Sequence, residues 1–577
     1  MENINKFFKP PIFYNHSKKE LSLDIVRDLE LIQTVDPSNQ PLYAYSFNFD
    51  NNASENILST KAVQQLSKYY TTDIPFIKDN QTLLKKFKLN HKKINDYKKY
   101  SNNYQTIIKT WREIKEDNAF KEKYNYVDWS SFEFLNRNEY YLQLMSIYSM
   151  TSPLITLLIP IFILIIPFLI IKSKGMDISI EEYFDILKQC IQHNAVGRLC
   201  TQFHTVSLQE KTYLIISATF YVFSIYQNIL LCYKFNQNMK KIHEFMNEFK
   251  LYLEYTIQSM EQYLEFSTKL TTHSDFYAVF KNELESLKSI QVNLLKITDF
   301  KYNIQKFSQI GHILRTFYEL HSNESYEQCI LYSFGFHGYI DCLQGLQQNI
   351  KERKINYSLL TKKKNKNFFK NIYYPTLKDI PHVKNDINLD KHIIISGPNA
   401  SGKTTILKST LFNIIFTQQF GCGFYDSALL NPYHHLHCYL NIPDTSGRDS
   451  LFQAEARRCK DIIDYLVEYN EDTQFCAFDE LYSGTNPEEA TLSAIAFMQY
   501  IVKNNNICSM LTTHFIDVCK KLDNHKNIKN FQMLTKQNED KIVYCFKLKE
   551  GISHVKGGYN VLYELNYPKE IIENMKT

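Results

Sequence analysis

Twelve cysteines are scattered through this 577-residue chain, yet no two are spaced C-x-x-C. That gap removes the usual zinc-ribbon and thioredoxin readings, and a chain this long needs no disulfide framework. The thiols are read as the reduced cysteines of a cytosolic or nuclear protein. A dominant sign of charge is also missing. Lys plus Arg number 66 and Asp plus Glu 61, so bulk charge does not imply nucleic acid, and any such contact needs a local patch. The opening "MENINKFFKPPIFYNHSKKE" lacks the apolar core of a secretory signal. Gly and Pro are scarce at 15 each, whereas Lys, Asn, Ile and Tyr abound and inflate apparent polarity everywhere. The length leaves room for roughly three or four domains.

A sharper absence lies in the first half: residues 140–171 contain no charge at all. Within them "LITLLIPIFILIIPFLII" (154–171) is almost wholly aliphatic, and Lys172 and Lys174 close it. A second uncharged run, "TYLIISATFYVFSIYQNILLCY" (212–233), sits between Lys211 and Lys234. About 20 apolar residues span a bilayer core as a helix, and both runs fit. Tyr140, Tyr141, Tyr148, Tyr213 and Tyr233 lie toward the ends, where interfacial anchors belong. Pro160 and Pro167 predict kinks, which membrane helices tolerate. Two readings stand: a transmembrane hairpin over 140–233, or two buried core helices in a nuclear or cytoplasmic protein. The hairpin would put both termini on one side.

Around these runs the pattern is helical. Residues 1–139 are polar and mixed, and "NQTLLKKFKLNHKKINDYKKY" has basic helix faces that read as solvated or as a DNA-backbone or membrane-surface patch. From 234 to 358 the apolar stripe Ile242, Phe245, Met246, Phe249, Leu253, Ile257 has the 3–4 spacing of long packed helices, lever material. "TKKKNKNFFKNIYY" predicts a basic linker over 359–380, a solvated hinge or a phosphate grip.

The chemistry begins after it. "IIISGPNASGKTT" completes G-x-x-x-x-G-K-[ST] with Gly397, Gly402, Lys403 and Thr404. Glycines let backbone N–H groups turn inward around phosphates, Lys403 reaches the β and γ oxygens, and the Thr404 hydroxyl takes a place on Mg²⁺. The loop 397–404, with Pro398, Asn399, Ala400 and Ser401 inside it and Thr405 behind it, follows a strand and opens a helix whose N-terminus faces phosphate. Further on, "QFCAFDELYSGTNPEEA" reads as a buried strand ending in Asp479 and Glu480. Asp479 can hold the magnesium shell, and Glu480 can orient or deprotonate water. A third strand, "NICSMLTTHF", ends at His514, placed to sense a γ-phosphate. "NPYHHLHCYL" offers His434, His435, His437 and Cys438 to a metal, but it alternates as a strand does, and zinc sites so crowded are uncommon.

In this order the blocks resemble the ATPase domain of the MutS family of DNA mismatch-repair ATPases. "YYPTLKDIPHVKNDINLDKHIIISGPNASGKTT" resembles the family's H-P…V-x-N-D-I…GPN-x-x-GK-[ST] block, with Asn385 and Asp386 at its Asn-Asp. "DTSGRDSLFQAEARRCKDII" resembles D-x-x-x-G-x-S-x-F-x-x-E, "DELYSGTN" resembles D-E-x-x-x-G-T, and "TTHF" resembles [AT]-T-H-[FY]. The closing "KEGISHVKGGYNVLYELNYPKEIIENM" looks like the family's last segment. Upstream, "LSLDIVRDLELIQTVDPSNQPLYAYSF" resembles the start of the helical core in membrane-associated MutS-like proteins.

The resemblance implies an α/β P-loop NTPase domain of MutS/ABC type over 381–577, following a mainly α-helical core and lever region. It implies Mg²⁺-dependent ATP hydrolysis with Lys403, Glu480 and His514 as the catalytic set. Asn385 and the loop residues would contact ATP, Thr404 and Asp479 would hold Mg²⁺, and Gly484 and Thr485 would form the D-loop. Ser450 would reach the ATP of a partner subunit, either a second copy or a related MutS-like chain. It also implies sequence-independent contact with DNA, mismatched or branched. Departures qualify this. Ala400-Ser401 replaces the family's Met-Gly, Ser483 replaces its Arg, and no G-x-F-Y-E-like mismatch wedge is found. The competing expectation is a membrane-anchored ABC-like ATPase for transport or membrane remodelling without DNA. No L-S-G-G-Q stretch supports that, and two spans are few for a transporter. A structural SMC-like clamp fits less well, since the apolar spans interrupt its helices.

Overall fold

The computed structural model describes residues 4–49, 57–90, 97–175, 179–193, 207–298, 308–364, 366–440, 450–538, 541–555 and isolated positions between 562 and 571. The chain forms two compact units that interleave in sequence. One comprises Met1–Asn90, Ser259–Leu284 and Cys329–Thr577, and the other His91–Gln258 and Glu285–Gln328.

The second unit is helical. Its helix α1 (Glu139–Ser173) contains the whole first apolar run, α2 (Ile180–His193) lies in the connection, and α3 (Leu208–Ser267), which belongs to this unit as far as Gln258, contains the second run. The Asn138 side chain caps α1 by accepting from the Tyr140 and Tyr141 amides, and the helix continues through Pro160 and Pro167. By length and composition, α1 and α3 are each able to cross a membrane. They run antiparallel: Asn228 Nδ2 donates to Thr156 Oγ1 at 2.9 Å, Tyr221 Oη to the Thr156 carbonyl at 3.2 Å, and Cys232 Sγ to the Met150 carbonyl at 3.6 Å. Ser152 and Thr156 are buried in this seam, while Leu154, Leu157, Leu169 and Phe223 face outward and Phe220 is 69% exposed. Polar groups sit inside and apolar ones outside, the inverse of a soluble helix pair. Further along α3 the order reverts, and Ile242, Phe245, Met246, Phe249, Leu253 and Ile257 bury as one stripe. Trp111 stacks on Phe249 there, 5.8 Å between centroids.

In the first unit a six-stranded sheet positions the chemistry. Its strands are β1 (His392–Ser396), β2 (His435–Tyr439), β3 (Gln474–Asp479), β4 (Ile507–Thr513), β5 (Ile528–Asn538) and β6 (Lys541–Glu550). Their spatial order is β6-β5-β1-β4-β3-β2, all neighbours parallel except β6, which pairs antiparallel with β5. Every residue of β1 and β4 is buried, as parallel strands covered on both faces require. The histidine-rich segment supplies edge strand β2, and among the described residues no His, Cys, Asp or Glu cluster fit for a metal occurs.

Helix α4 (Lys403–Phe420) follows β1 and is buried on nearly all sides. Residues 66–71 grip its far end. Gln419 Nε2 donates to the Leu66 and Tyr69 carbonyls, both at 2.9 Å, and Gln418 Nε2 donates to the Thr71 carbonyl at 3.1 Å. Phe8, Phe276 and Tyr332 pack ring against ring, joining all three stretches of this unit.

One expectation is corrected. Residues 359–380 are not a plain basic linker, because Asn356–Leu360 and Phe368–Ile372 are strands of a five-stranded sheet. Phe369 and Ile372 bury while Lys370 points outward, so the lysines hide a half-buried strand.

Candidate functional site

In an open sheet of parallel strands, ligands bind beyond the strands' C-terminal ends. Three adjacent strands end together here: Asp479 of β3 pairs with Thr512 of β4, and Thr513 of β4 with Ser396 of β1. Register alone therefore gathers the loop after β1, the carboxylates after β3 and the histidine after β4. The turn into α4 needs Gly402, whose φ of +95° lies in a region costly to residues with a Cβ. The α4 N-terminus then points its free amides into the loop.

Lys403 is 5% exposed, and its Nζ lies 3.2 Å from the Pro398 carbonyl oxygen and 3.7 Å from Glu480 Oε1. Burial pulls its ammonium below the ordinary lysine range, against the opposing pull of Glu480 and Asp479. Thr404 Oγ1 donates to Asp479 Oδ2 at 2.9 Å, and the Thr512 hydroxyl donates to the other carboxylate oxygen. His514 Nδ1 lies 3.4 Å from Glu480 Oε1. The two acids are tuned in opposite directions. Burial raises the Asp479 carboxyl despite those hydroxyl donors, whereas the His514 contact, then Lys403, holds Glu480 below the ordinary range. Glu480 also has a positive φ of 50°, a strained backbone of the kind that collects at functional sites.

Lys403, Thr404, Asp479 and Glu480 line one cleft of about 650 Å³ together with Asn399, Ala400, Ser401 and Thr405, and His514 stands behind Glu480. Gly397 and Pro398 open the loop beside it. Asn385 also lines the cleft, but its carboxamide is already engaged. Nδ2 donates to the Phe546 carbonyl at 3.0 Å, and Oδ1 accepts from the Leu548 amide at 2.7 Å, so it braces β6. Thr404 and Asp479 bring oxygen donors of a hard-cation type together around a half-buried carboxylate, so the residues fit Mg²⁺.

Ser450 is exposed at the start of α5 (Leu451–Glu468), where its side chain and Gln453 form a reciprocal cap. It does not line this cleft. Most of the preceding motif (441–449), like most of the closing segment from 556 onward, lies outside the described residues. Gly484 and Thr485 follow Glu480 and lead into α6 (Pro487–Ile501).

Sequence reasoning missed several lining or supporting residues. Tyr374, His382, Met533 and Phe546 line the same cleft from other strands and loops, with no local motif to reveal them. Thr512 could have been found, since it belongs to the T-T-H block that drew attention to His514. Glu455 is the last position of the stretch containing Ser450; it is 3% exposed and accepts from Ser483 Oγ and the Gly484 amide, both at 3.1 Å.

Residues 393–577 match the family described as MutS domain V. Similar proteins include DNA mismatch repair protein MutS of Prochlorococcus marinus (strain AS9601), 26% identical over 205 residues, covering 35% of this chain and 22% of the relative. The protein of that name from Parabacteroides distasonis is 28% identical over 201 residues, covering 33% and 22%. That from Staphylococcus epidermidis is 24% identical over 244 residues, covering 41% and 27%. The matched part is thus about a quarter of these relatives' length.

Proposed function

We propose, from the match of residues 393–577 to MutS domain V and the partial likeness to MutS proteins, that this chain is a Mg²⁺-dependent ATPase of the MutS family whose cycle is coupled to DNA. The observation that carries the reading is the convergence of Lys403, Thr404, Asp479 and Glu480 on one cleft at the ends of three adjacent strands, with His514 in contact with Glu480. Lys403 moves from Glu480 to the β and γ oxygens when nucleotide enters, and so frees the carboxylate. Glu480, kept anionic by His514, accepts a proton from the attacking water as the water oxygen bonds to the γ-phosphorus. The bond from that phosphorus to the β–γ bridging oxygen breaks, leaving ADP and phosphate. Mg²⁺ held by Thr404 and Asp479 would supply charge neutralisation for the phosphate oxygens.

The protein works as a dimer with a second copy or a related subunit, each contributing Ser450 to the other's nucleotide. The DNA coupling is supported by the relatives' names, while mismatch reading has no residue-level support in this chain. The inverted α1–α3 seam supports a transmembrane hairpin within 140–233, which would anchor the protein with its ATPase facing the cytosol. That same seam favours the second reading, a membrane-anchored ABC-like ATPase with no DNA role.

The test is ATPase activity of detergent-purified protein with no DNA, perfect duplex, mismatched duplex and branched DNA. Stimulation by at least one DNA form is expected. No stimulation by any form sinks the DNA coupling and favours the second reading, and equal stimulation by perfect and mismatched duplex removes mismatch recognition alone. Glu480→Gln should bind ATP yet turn over about 10²–10⁴-fold slower; wild-type turnover would remove Glu480 from the base role.

A further inference from the structure

We infer that Glu455 is a positioning residue that locks the loop following Glu480 to the start of α5, so that Ser450 and Glu480 move as one piece. The inference rests on the dimeric ATPase reading above and adds a route by which one site senses the other. Its carboxylate is buried on α5, one turn after Ser450, and reaches across to the loop. There Ser483 Oγ and the Gly484 amide each donate to a different carboxylate oxygen at 3.1 Å.

Two further contacts fasten the same two elements. A Cβ on Gly484 would lie 2.5 Å from Leu451 Cγ, so α5 sits directly on the glycine's backbone. Phe452 packs against Tyr482, with ring centroids 5.8 Å apart. The Tyr482 amide in turn donates to Tyr439 Oη at 3.3 Å, which fixes the loop to β2. Leu451 and Phe452 directly follow Ser450, and Tyr482 to Gly484 closely follow Glu480. A shift of α5 when Ser450 engages a partner's nucleotide is therefore carried to the hydrolytic carboxylate within a few residues. Ser483, a departure from the family pattern in the sequence, has a defined task here as a donor to Glu455.

The test uses full-length protein in detergent with Glu455→Ala, Glu455→Gln and the Glu480→Gln background, melting temperature serving as the folding control. In Glu455→Ala, the KM for MgATP should stay within about twofold while kcat falls about tenfold. ATP-driven dimerisation, read by sedimentation in the Glu480→Gln background, should weaken about tenfold, within the usual range of coupling between sites. Glu455→Gln, which retains an acceptor for Ser483, should recover part of both. Should Glu480→Gln dimerise with ATP equally well with and without Glu455→Ala, and kcat be unchanged, the coupling role is overturned while the dimer stands. A Glu480→Gln protein that stays monomeric with ATP overturns the dimer and this inference with it.

Discussion

In the unit holding the nucleotide-loop motif, Ile393, Ile394 and Ile395 are wholly buried, and the charged Lys403, Asp479 and Glu480 gather at the cleft. In the α1–α3 pair, Thr156 and Asn228 meet in the seam while Leu157 and Phe220 face outward. What differs between the two regions is the medium each outer surface suits. In water the hydrophobic effect orders the head. Between helices in hydrocarbon that drive vanishes, and an arrangement with polar groups inside is the kind that packing and hydrogen bonds alone would hold. A shared apolar richness in the sequence thus yields opposite arrangements.

That contrast breaks most readily on the hairpin's outer face. Phe162→Lys with Phe220→Lys should each add about 2.5–3.5 kcal/mol to the cost of insertion. The expected result is loss of the protein from alkali-washed membranes with ATPase retained; unchanged retention would remove the membrane anchor. Next comes the head, where Lys403→Ala should lower kcat by about 10²–10³-fold, as loss of one charge-stabilising group does elsewhere, without altering membrane retention. Phosphate-release assays check the first half and fractionation the second.

A smaller effect is expected at Asn385. Alanine there leaves the Phe546 carbonyl and Leu548 amide without their partner, at about 1–3 kcal/mol for each group that stays buried. Chemical denaturation should show the loss, and because β6 borders the cleft, KM for ATP should rise. The subtlest test is pH. Asp479 is raised in the folded head, so the folded state holds that proton more tightly than the unfolded chain does. Its contribution to stability is complete below the ordinary aspartate range and is lost as pH rises through the folded value. Nucleotide-free, Mg²⁺-free protein should therefore lose stability relative to Asp479→Asn as pH climbs from about 4. Paired melting curves across pH check the sign, and parallel curves would contradict it.

How much of this could be read beforehand follows from how far apart the cooperating residues lie. The loop 397–404 and the pair Asp479-Glu480 are legible because each is a short contiguous block whose chemistry fixes its spacing. Thr512 and Glu455 lay inside blocks already noticed, but their tasks depend on which strand or loop comes alongside. Met533 and Phe546 reach the cleft from β5 and β6, and no periodicity announces that. The strand Phe368–Ile372 was obscured because lysines and asparagines interrupt its alternation, which also shifts register between Phe369 and Ile372. The apolar runs announced long helices correctly, yet only the seam at Thr156 distinguishes which of their faces is inside.

The grip of residues 66–71 on the end of α4 bears on how this molecule can be dissected. A fragment cut at residue 381 would keep every motif of the nucleotide site. It would also strip Gln418 and Gln419 of carbonyl partners they hold through residues 66–71 and expose the apolar surface around them. Such a fragment carries the complete inscription of an ATPase without the clasp on its central helix. Excision of a working head has to retain three separate stretches of chain, rejoined by short linkers.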